Sequence, residues 1–158
     1  DDYVDREGFR ALIPTQSEYT LSLYGEYGLR DDLTVHLYAP FFKRLTLNEQ
    51  VGRESGFVYF EGDAVNGVAD TDLGLRYRVW QDEKRVVSVG VTFGLPIGDD
   101  THPNALITGD GELNQRWSVH LGQSLYPWPG YVNVDLAYDE RHGGYADDLT
   151  GRLEIGAR

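Results

Sequence analysis

The stretch DLGLRYRVWQDEKRVVSVGVTFGL, Asp72 to Leu95, holds two runs of strict alternation around a polar link. In the first run Leu73, Leu75, Tyr77 and Val79 point one way and Asp72, Gly74, Arg76 and Arg78 the other. In the second, Val87, Val89, Val91, Phe93 and Leu95 oppose Ser88, Gly90, Thr92 and Gly94. A period of two marks a strand whose two faces meet different surroundings. The link Gln81-Asp82-Glu83-Lys84 has turn composition, so the stretch reads as two strands joined by a tight connection.

The same pattern recurs on both sides. Tyr19, Leu21, Leu23, Tyr27 and Leu29 stand against Thr20, Ser22, Tyr24 and Glu26, and Leu33, Val35, Leu37, Ala39 and Phe41 against Thr34, His36 and Tyr38. Further on, Trp117, Val119 and Leu121 oppose Arg116, Ser118 and His120, and Val132, Val134, Leu136 and Tyr138 oppose Asn133, Asp135 and Ala137. Leu149, Leu153, Ile155 and Ala157 oppose Thr150, Arg152, Glu154 and Gly156, which brings the number of runs to seven. Gly8 to Ile13 is a weaker eighth candidate, ended by Pro14 because proline cannot donate into a ladder. No stretch keeps a period of 3.6 over helical length, so the chain is expected to be all-β.

Length and composition bound the rest. A chain of 158 residues is read as a single domain, 1–158, with an N-terminal segment 1–17. The absence of cysteine excludes a disulfide scaffold and thiolate metal sites. Fourteen Lys and Arg against 26 Asp and Glu give a net charge of −12, which repels phosphate backbones, so no nucleic-acid partner is expected. Aromatic content of 13% with 19 glycines argues against an acidic disordered chain. No apolar stretch approaches the ~20 residues of a membrane helix, but a mean hydropathy of −0.44 is compatible with membrane strands, whose two faces average to mild polarity. The opening DDYVDREG does not have the pattern of a secretory signal, which is expected to have been removed.

The links between runs alternate short and long. The short ones are Arg30-Asp31-Asp32, Gln81 to Lys84 and Pro127-Trp128-Pro129-Gly130; the long ones are 42–70, 96–112 and 139–148. A soluble meander has no reason to gather its long loops at one end, whereas an outer-membrane barrel has tight periplasmic turns and extended outer loops. The expectation is an all-β, antiparallel up-and-down transmembrane β-barrel in a bacterial outer membrane, with the acidic tracts Glu54, Glu61, Asp63, Asp99, Asp100, Asp110, Glu112, Asp147 and Asp148 outside. The polar face then lines a lumen, with Glu26, His36, Asp72, Arg76, Arg78, Arg116, His120, Asp135, Arg152 and Glu154 as lining residues. Aromatic residues near run ends, Trp80, Tyr126 and Trp128 among them, fit the headgroup depth of a bilayer, although β propensity alone also gathers rings at strand ends. Alternation by itself also allows the reverse arrangement, a soluble β-barrel holding an apolar ligand inside.

The segments YGEYGLRDDLT (Tyr24–Thr34), ADTDLGLRY (Ala69–Tyr77), GLPIG (Gly94–Gly98) and TGDGELNQ (Thr108–Gln115) resemble a poorly characterised group of bacterial outer-membrane β-barrels. Members of that group are labelled as transporters, or as similar to barrels of the meta-pathway of phenol degradation. The resemblance runs from Ser17 onward, through motifs that are each a turn-and-strand pattern. It implies a location and a fold, and brings no catalytic residue with it. Barrels of the group are longer than this chain, and outer-membrane strands commonly finish on an aromatic residue where this sequence reads Gly156-Ala157-Arg158. Two expectations stay open: carboxyl-terminal strands of a larger barrel are missing, or Gly8 to Ile13 completes a small barrel of eight.

Candidate chemistry is sparse. His36, His102, His120 and His142 show no zinc-motif spacing, and the acidic loop 97–112 does not match a calcium loop, so no metal and no cofactor are expected. Gly109-Asp110-Gly111 lacks the lysine and helix of a phosphate loop. Ser118 and His120 share a face, and a carboxylate such as Asp135 on the next strand supplies the ingredients of a hydrolytic triad. A lipid-modifying hydrolase would want that group toward lipid, however, so no catalytic residue is assigned. The expected function is passive movement of a small solute, or a structural envelope role without covalent chemistry. Outer-membrane lipid and other envelope proteins are the expected partners. Leu45, Leu47, Val51 and Phe57 to Phe60 are unusually apolar for a loop. They are expected first to extend a strand; more sharply, Phe57, Tyr59 and Phe60 form a constriction. Deleting 57–60 then raises single-channel conductance in planar bilayers, and unchanged conductance removes the constriction.

Overall fold

The computed structural model describes residues 2–4, 10–12, 15–51, 57–142 and 146–157. Its strands are β1 (Asp2–Val4), β2 (Arg10–Leu12), β3 (Gln16–Arg30), β4 (Leu33–Leu47), β5 (Gln50–Val51), β6 (Val58–Phe60), β7 (Asp63–Gly67), β8 (Thr71–Gln81), β9 (Arg85–Leu95), β10 (Asn114–Ser124), β11 (Gly130–Glu140) and β12 (Asp148–Ala157). Each of the seven alternating runs of the sequence is a strand of one antiparallel sheet, in the order β12-β11-β10-β9-β8-β4-β3. Chain neighbours are sheet neighbours throughout, apart from the β5–β7 excursion between β4 and β8. The sheet curls into an open half-barrel whose edges, among the described residues, are β3 and β12. The expected all-β, up-and-down antiparallel architecture is present, and closure is not. Strand β2, inside the Gly8 to Ile13 candidate, pairs with β1 (Asp2 opposite Leu12) rather than with the sheet; Gly8, Phe9 and Ile13 lie outside the described residues.

The links sort by end. β3–β4, β8–β9 and β10–β11 are joined by 31–32, 82–84 and 125–129, while 48–70, 96–113 and 141–147 gather at the other end. The first short turn is followed by Arg78 N–H donating to Asp32 O at 2.8 Å, which ties β8 to it. In the second, Asp82 Oδ1 accepts the N–H groups of Lys84 at 2.8 Å and Arg85 at 2.7 Å, bonds that hold its carboxyl below the ordinary aspartate range.

The residues 42–47 that begin the expected long loop are strand, because β4 continues past a bulge. Leu21 faces Phe42 and Leu23 faces Ala39, so Pro40 and Phe41 together oppose Ser22. Proline is tolerated at such a break, and Pro40 O instead accepts from Ala69 N–H at 3.0 Å. Below the break β4 pairs with β8 through Leu33–Tyr38; above it, Lys43–Leu47 pairs with β7.

The two faces of the sheet are unequal. On the apolar face Leu21, Leu75, Val119 and Leu153 remain 59, 43, 48 and 66% exposed. On the polar face Gly74 and Gly94 are buried and Arg76, Ser118 and His120 half-buried, so the curl closes toward the polar side. The buried apolar cluster, Leu45, Val65 and Leu106 with Leu47 against it, lies at the long-loop end, where segment 96–113 folds back over β4 and β7. Asp70 clamps that segment by accepting Gly98 N–H at 2.9 Å and Asp110 N–H at 2.8 Å. A buried Thr108 adds its hydroxyl as acceptor for Asp99 N–H at 2.8 Å.

Leu106, 1% exposed, anchors this segment. Leu106→Ala is expected to cost about 2–5 kcal/mol of the docking of 96–113. Limited proteolysis reads this as faster cleavage within 96–113 with circular dichroism of the strands unchanged.

Candidate functional site on the concave face

Antiparallel register arranges the polar face in rows that cross the strands. One row runs Glu26, His36, Gly74, Thr92, Arg116, Asp139 and Asp148 from β3 to β12. The next holds Arg76, Gly90, Ser118, Ala137 and Thr150, and the one beyond it Arg78, Ser88, His120, Asp135 and Arg152. Around these rows lies a cleft of about 660 Å³. His36, Asp72, Arg76, Arg116, His120, Asp135 and Arg152, all expected on the lumen face, line it. Arg78 lines a neighbouring hollow with Asp31, Asp32 and Ser88. Glu26 and Glu154 join through their partners, as Arg76 Nη2 meets Glu26 Oε2 at 2.9 Å and Arg152 Nη2 meets Glu154 Oε2 at 2.7 Å.

Pairing neutralises most of these charges. Arg116 forks onto Asp139, with Nε to Oδ1 at 2.6 Å and Nη2 to Oδ2 at 2.8 Å, the bidentate geometry in which guanidinium and carboxylate bind best. Tyr24 donates its hydroxyl to Glu26, and Tyr131 its own to Glu154 at 2.8 Å. The lining also contains Tyr24, Tyr38, Thr92, Asn114, Ser118, Asp139, Arg141 and Thr150, none of which stands among the expected lumen residues. Tyr24 and Tyr38 already stand on the polar side of the alternating runs, two residues from Glu26 and His36, and Asp139 follows Asp135 by four, so the period of two places all three on this face.

Glycines make room for the larger groups. A Cβ on Gly74 would stand 2.2 Å from His36 Nε2, so the imidazole lies across the bare backbone of β8 and reaches Thr92 Oγ1 at 3.0 Å. A Cβ on Gly90 would stand 2.6 Å from Ser118 Oγ. Ser118 Oγ and His120 Nε2 are 3.0 Å apart, and His120 Nδ1 lies 2.8 Å from Asp135 Oδ1. The residues weighed as triad ingredients therefore stand in hydrogen-bond order.

The loop candidates have other partners. Asp99 accepts from Thr101 N–H and Oγ1 at 2.9 and 2.7 Å, which holds it below the ordinary range. Burial alone would raise Asp110, but Asn114 Nδ2 at 2.9 Å, Glu112 N–H at 3.0 Å and Arg141 at 3.3 Å outweigh it and the carboxyl is lowered. Carboxylates occupy the space over both glycines, Asp70 over Gly109 and Asp100 over Gly111, where an added Cβ would meet each at 2.2 Å, so acids rather than a phosphate fill this loop. Among the described residues no group of three or more His, Cys, Asp and Glu is placed to hold a metal ion. Phe57, Tyr59 and Phe60 sit on the β5–β6 hairpin or beside it, outside the cleft lining; Phe57 and Tyr59 are exposed and meet edge to face at 5.1 Å. Glu54 lies outside the described residues.

No family model matches this chain, and no curated protein is found to be similar to it. What it presents is an all-β antiparallel half-barrel with a polar, charge-paired concavity and an exposed apolar back.

Lowered carboxyls stabilise the folded state above their unfolded value and lose that contribution as pH falls through the folded one. Hydrogen-exchange protection in 96–113, taken relative to the intrinsic exchange rate at each pH, is therefore expected to stay constant from neutral pH down to about 4 and to fall below it, as Asp99 and Asp110 protonate. A loss of protection beginning near neutrality would contradict this assignment.

Proposed function

We propose that this protein is an outer-membrane β-barrel component that lets a small polar solute pass along its concave face while its apolar back meets lipid. The observation that carries the reading is the inverted polarity of the sheet. Leu75, Val119 and Leu153 stand exposed on one face, while Arg76, Arg116 and Arg152 are paired with carboxylates on the other. The dimensions agree: β8, β9, β10 and β11 have 11 residues each, and a tilted membrane strand needs about 9–11. Short turns at one end, and Tyr126 and Trp128 exposed there at 71 and 77%, suit a periplasmic boundary with aromatic rings at headgroup depth. The rival reading, a soluble barrel around an apolar guest, has the curl against it, because the sheet closes on its polar side.

Purified protein is expected to require detergent, to shift in gel mobility on heating and to give planar-bilayer conductance with weak ion selectivity. Arg116→Gln leaves Asp139 uncompensated and moves the reversal potential toward cations, whereas Asp139→Asn moves it toward anions. Monodisperse behaviour without detergent overturns the membrane reading; insertion without conductance overturns passage alone.

A further inference from the structure

We propose that Ser118, His120 and Asp135 form a nucleophilic serine site that cleaves small polar carboxylic esters in the concave cleft. This goes beyond solute passage and does not depend on it.

The hydrogen-bond chemistry fixes the direction of the relay. A carboxylate only accepts, so the 2.8 Å contact with Asp135 Oδ1 requires the proton to be on His120 Nδ1. In neutral imidazole that leaves Nε2 as an acceptor, and the 3.0 Å contact then has Ser118 O–H donating to it. This is the tautomer in which histidine can take the serine proton. The backbone builds the arrangement rigidly: Ser118 and His120 are two apart on β10 and share a face, and Asp135 is the direct cross-strand partner of His120 on β11. Access is built in as well. In its own row Ser118 lies between Gly90 and Ala137, which carry a hydrogen and a methyl where the row through Arg116 carries Thr92 and Asp139 and the row through His120 carries Ser88 and Asp135. All three groups line the cleft of about 660 Å³.

The step balances with water as the only co-reactant. Ser118 Oγ bonds to the ester carbonyl carbon while its proton moves to His120 Nε2; the bond from that carbon to the alkoxy oxygen breaks, and the leaving oxygen takes the proton from Nε2. Water then attacks the acyl-serine, gives a proton to Nε2, and the acid departs as Ser118 Oγ recovers that proton. Charged and hydroxyl-bearing side chains make up most of the cleft lining, with Leu136 and Ala137 its aliphatic members, so the acyl group is short and the alcohol polar. The β10 amides around Ser118 are committed to ladders with β9 and β11, so turnover is slow and stoichiometric labelling is the sensitive readout.

The full chain in detergent micelles is treated with a small hydrophilic fluorophosphonate, with a long-chain analogue in parallel, and labelled positions are read by mass spectrometry. One adduct at Ser118 is expected, faster with the hydrophilic probe, lost in Ser118→Ala and slowed about 10²–10⁴-fold in His120→Gln. Gly90→Ala keeps all three residues but drives Ser118 Oγ off His120 Nε2, and it should lose labelling too. Each variant's heat-dependent gel mobility is compared with the parent to show that it has folded. Labelling of Ser118 no faster than of Ser88 and Ser124 overturns the proposal, as does a folded His120→Gln variant labelled at the parent's rate. Preference for the long-chain probe overturns the substrate class.

Discussion

One constraint governs the molecule: a single sheet layer has an apolar face that no other part of the described chain covers. Soluble sheets bury such a face against helices or a second sheet. Here Leu153 is 66% exposed and Leu21 59%, while the buried apolar cluster is confined to Leu45, Val65 and Leu106 at one end. Fully burying one such side chain contributes about 1.5–3 kcal/mol, so in water most of the sheet's apolar side chains contribute little to folding. Hydrocarbon against that face, as proposed, would remove the deficit at every strand simultaneously, which is why the proposed surroundings and the fold are one question.

The concave face faces the complementary problem of holding charge in a confined space. Register solves it by rows: Arg116 and Asp139 are direct cross-strand partners on β10 and β11, and the row that carries them begins with Glu26 and His36 on β3 and β4. Gly74 and Gly90 are part of the same solution, because β8 and β9 can curl toward the polar side only if some positions carry no side chain. The curl remains open. With seven strands in strict antiparallel order, β3 and β12 run in the same direction, so direct pairing of the two edges would be parallel. Antiparallel closure takes an odd number of further strands.

Much of this was legible in sequence because the two faces meet different surroundings, which stamps a period of two on every strand. The expected extension of the second strand through Leu45 and Leu47 is present, since β4 runs to Leu47, but the face those residues take is not legible: the bulge at Pro40 and Phe41 shifts the side-chain phase, so they stand on the face opposite the run Leu33 to Phe41. Asp139 and Tyr24 obey the period and were within reach; Arg141 was not, since it lies just past the end of β11 and enters the cleft through tertiary placement. The docking of 96–113 onto Asp70 was equally hidden, because a carboxylate that accepts two backbone N–H groups from a distant loop leaves no local pattern.

The same placement accounts for what charge pairing leaves available. In register Asp135 stands between His120 on β10 and Arg152 on β12, and a guanidinium is the stronger competitor for a carboxylate. Arg152 turns instead to Glu154, two residues along its own strand, at 2.7 Å. Glu154 is itself oriented by the Tyr131 hydroxyl at 2.8 Å. Asp135 Oδ1 is thereby free to accept from His120 Nδ1, and the imidazole turns its other nitrogen to Ser118. Glu154 thus keeps Arg152 along its own strand, and the row through His120 runs from carboxylate to imidazole to hydroxyl.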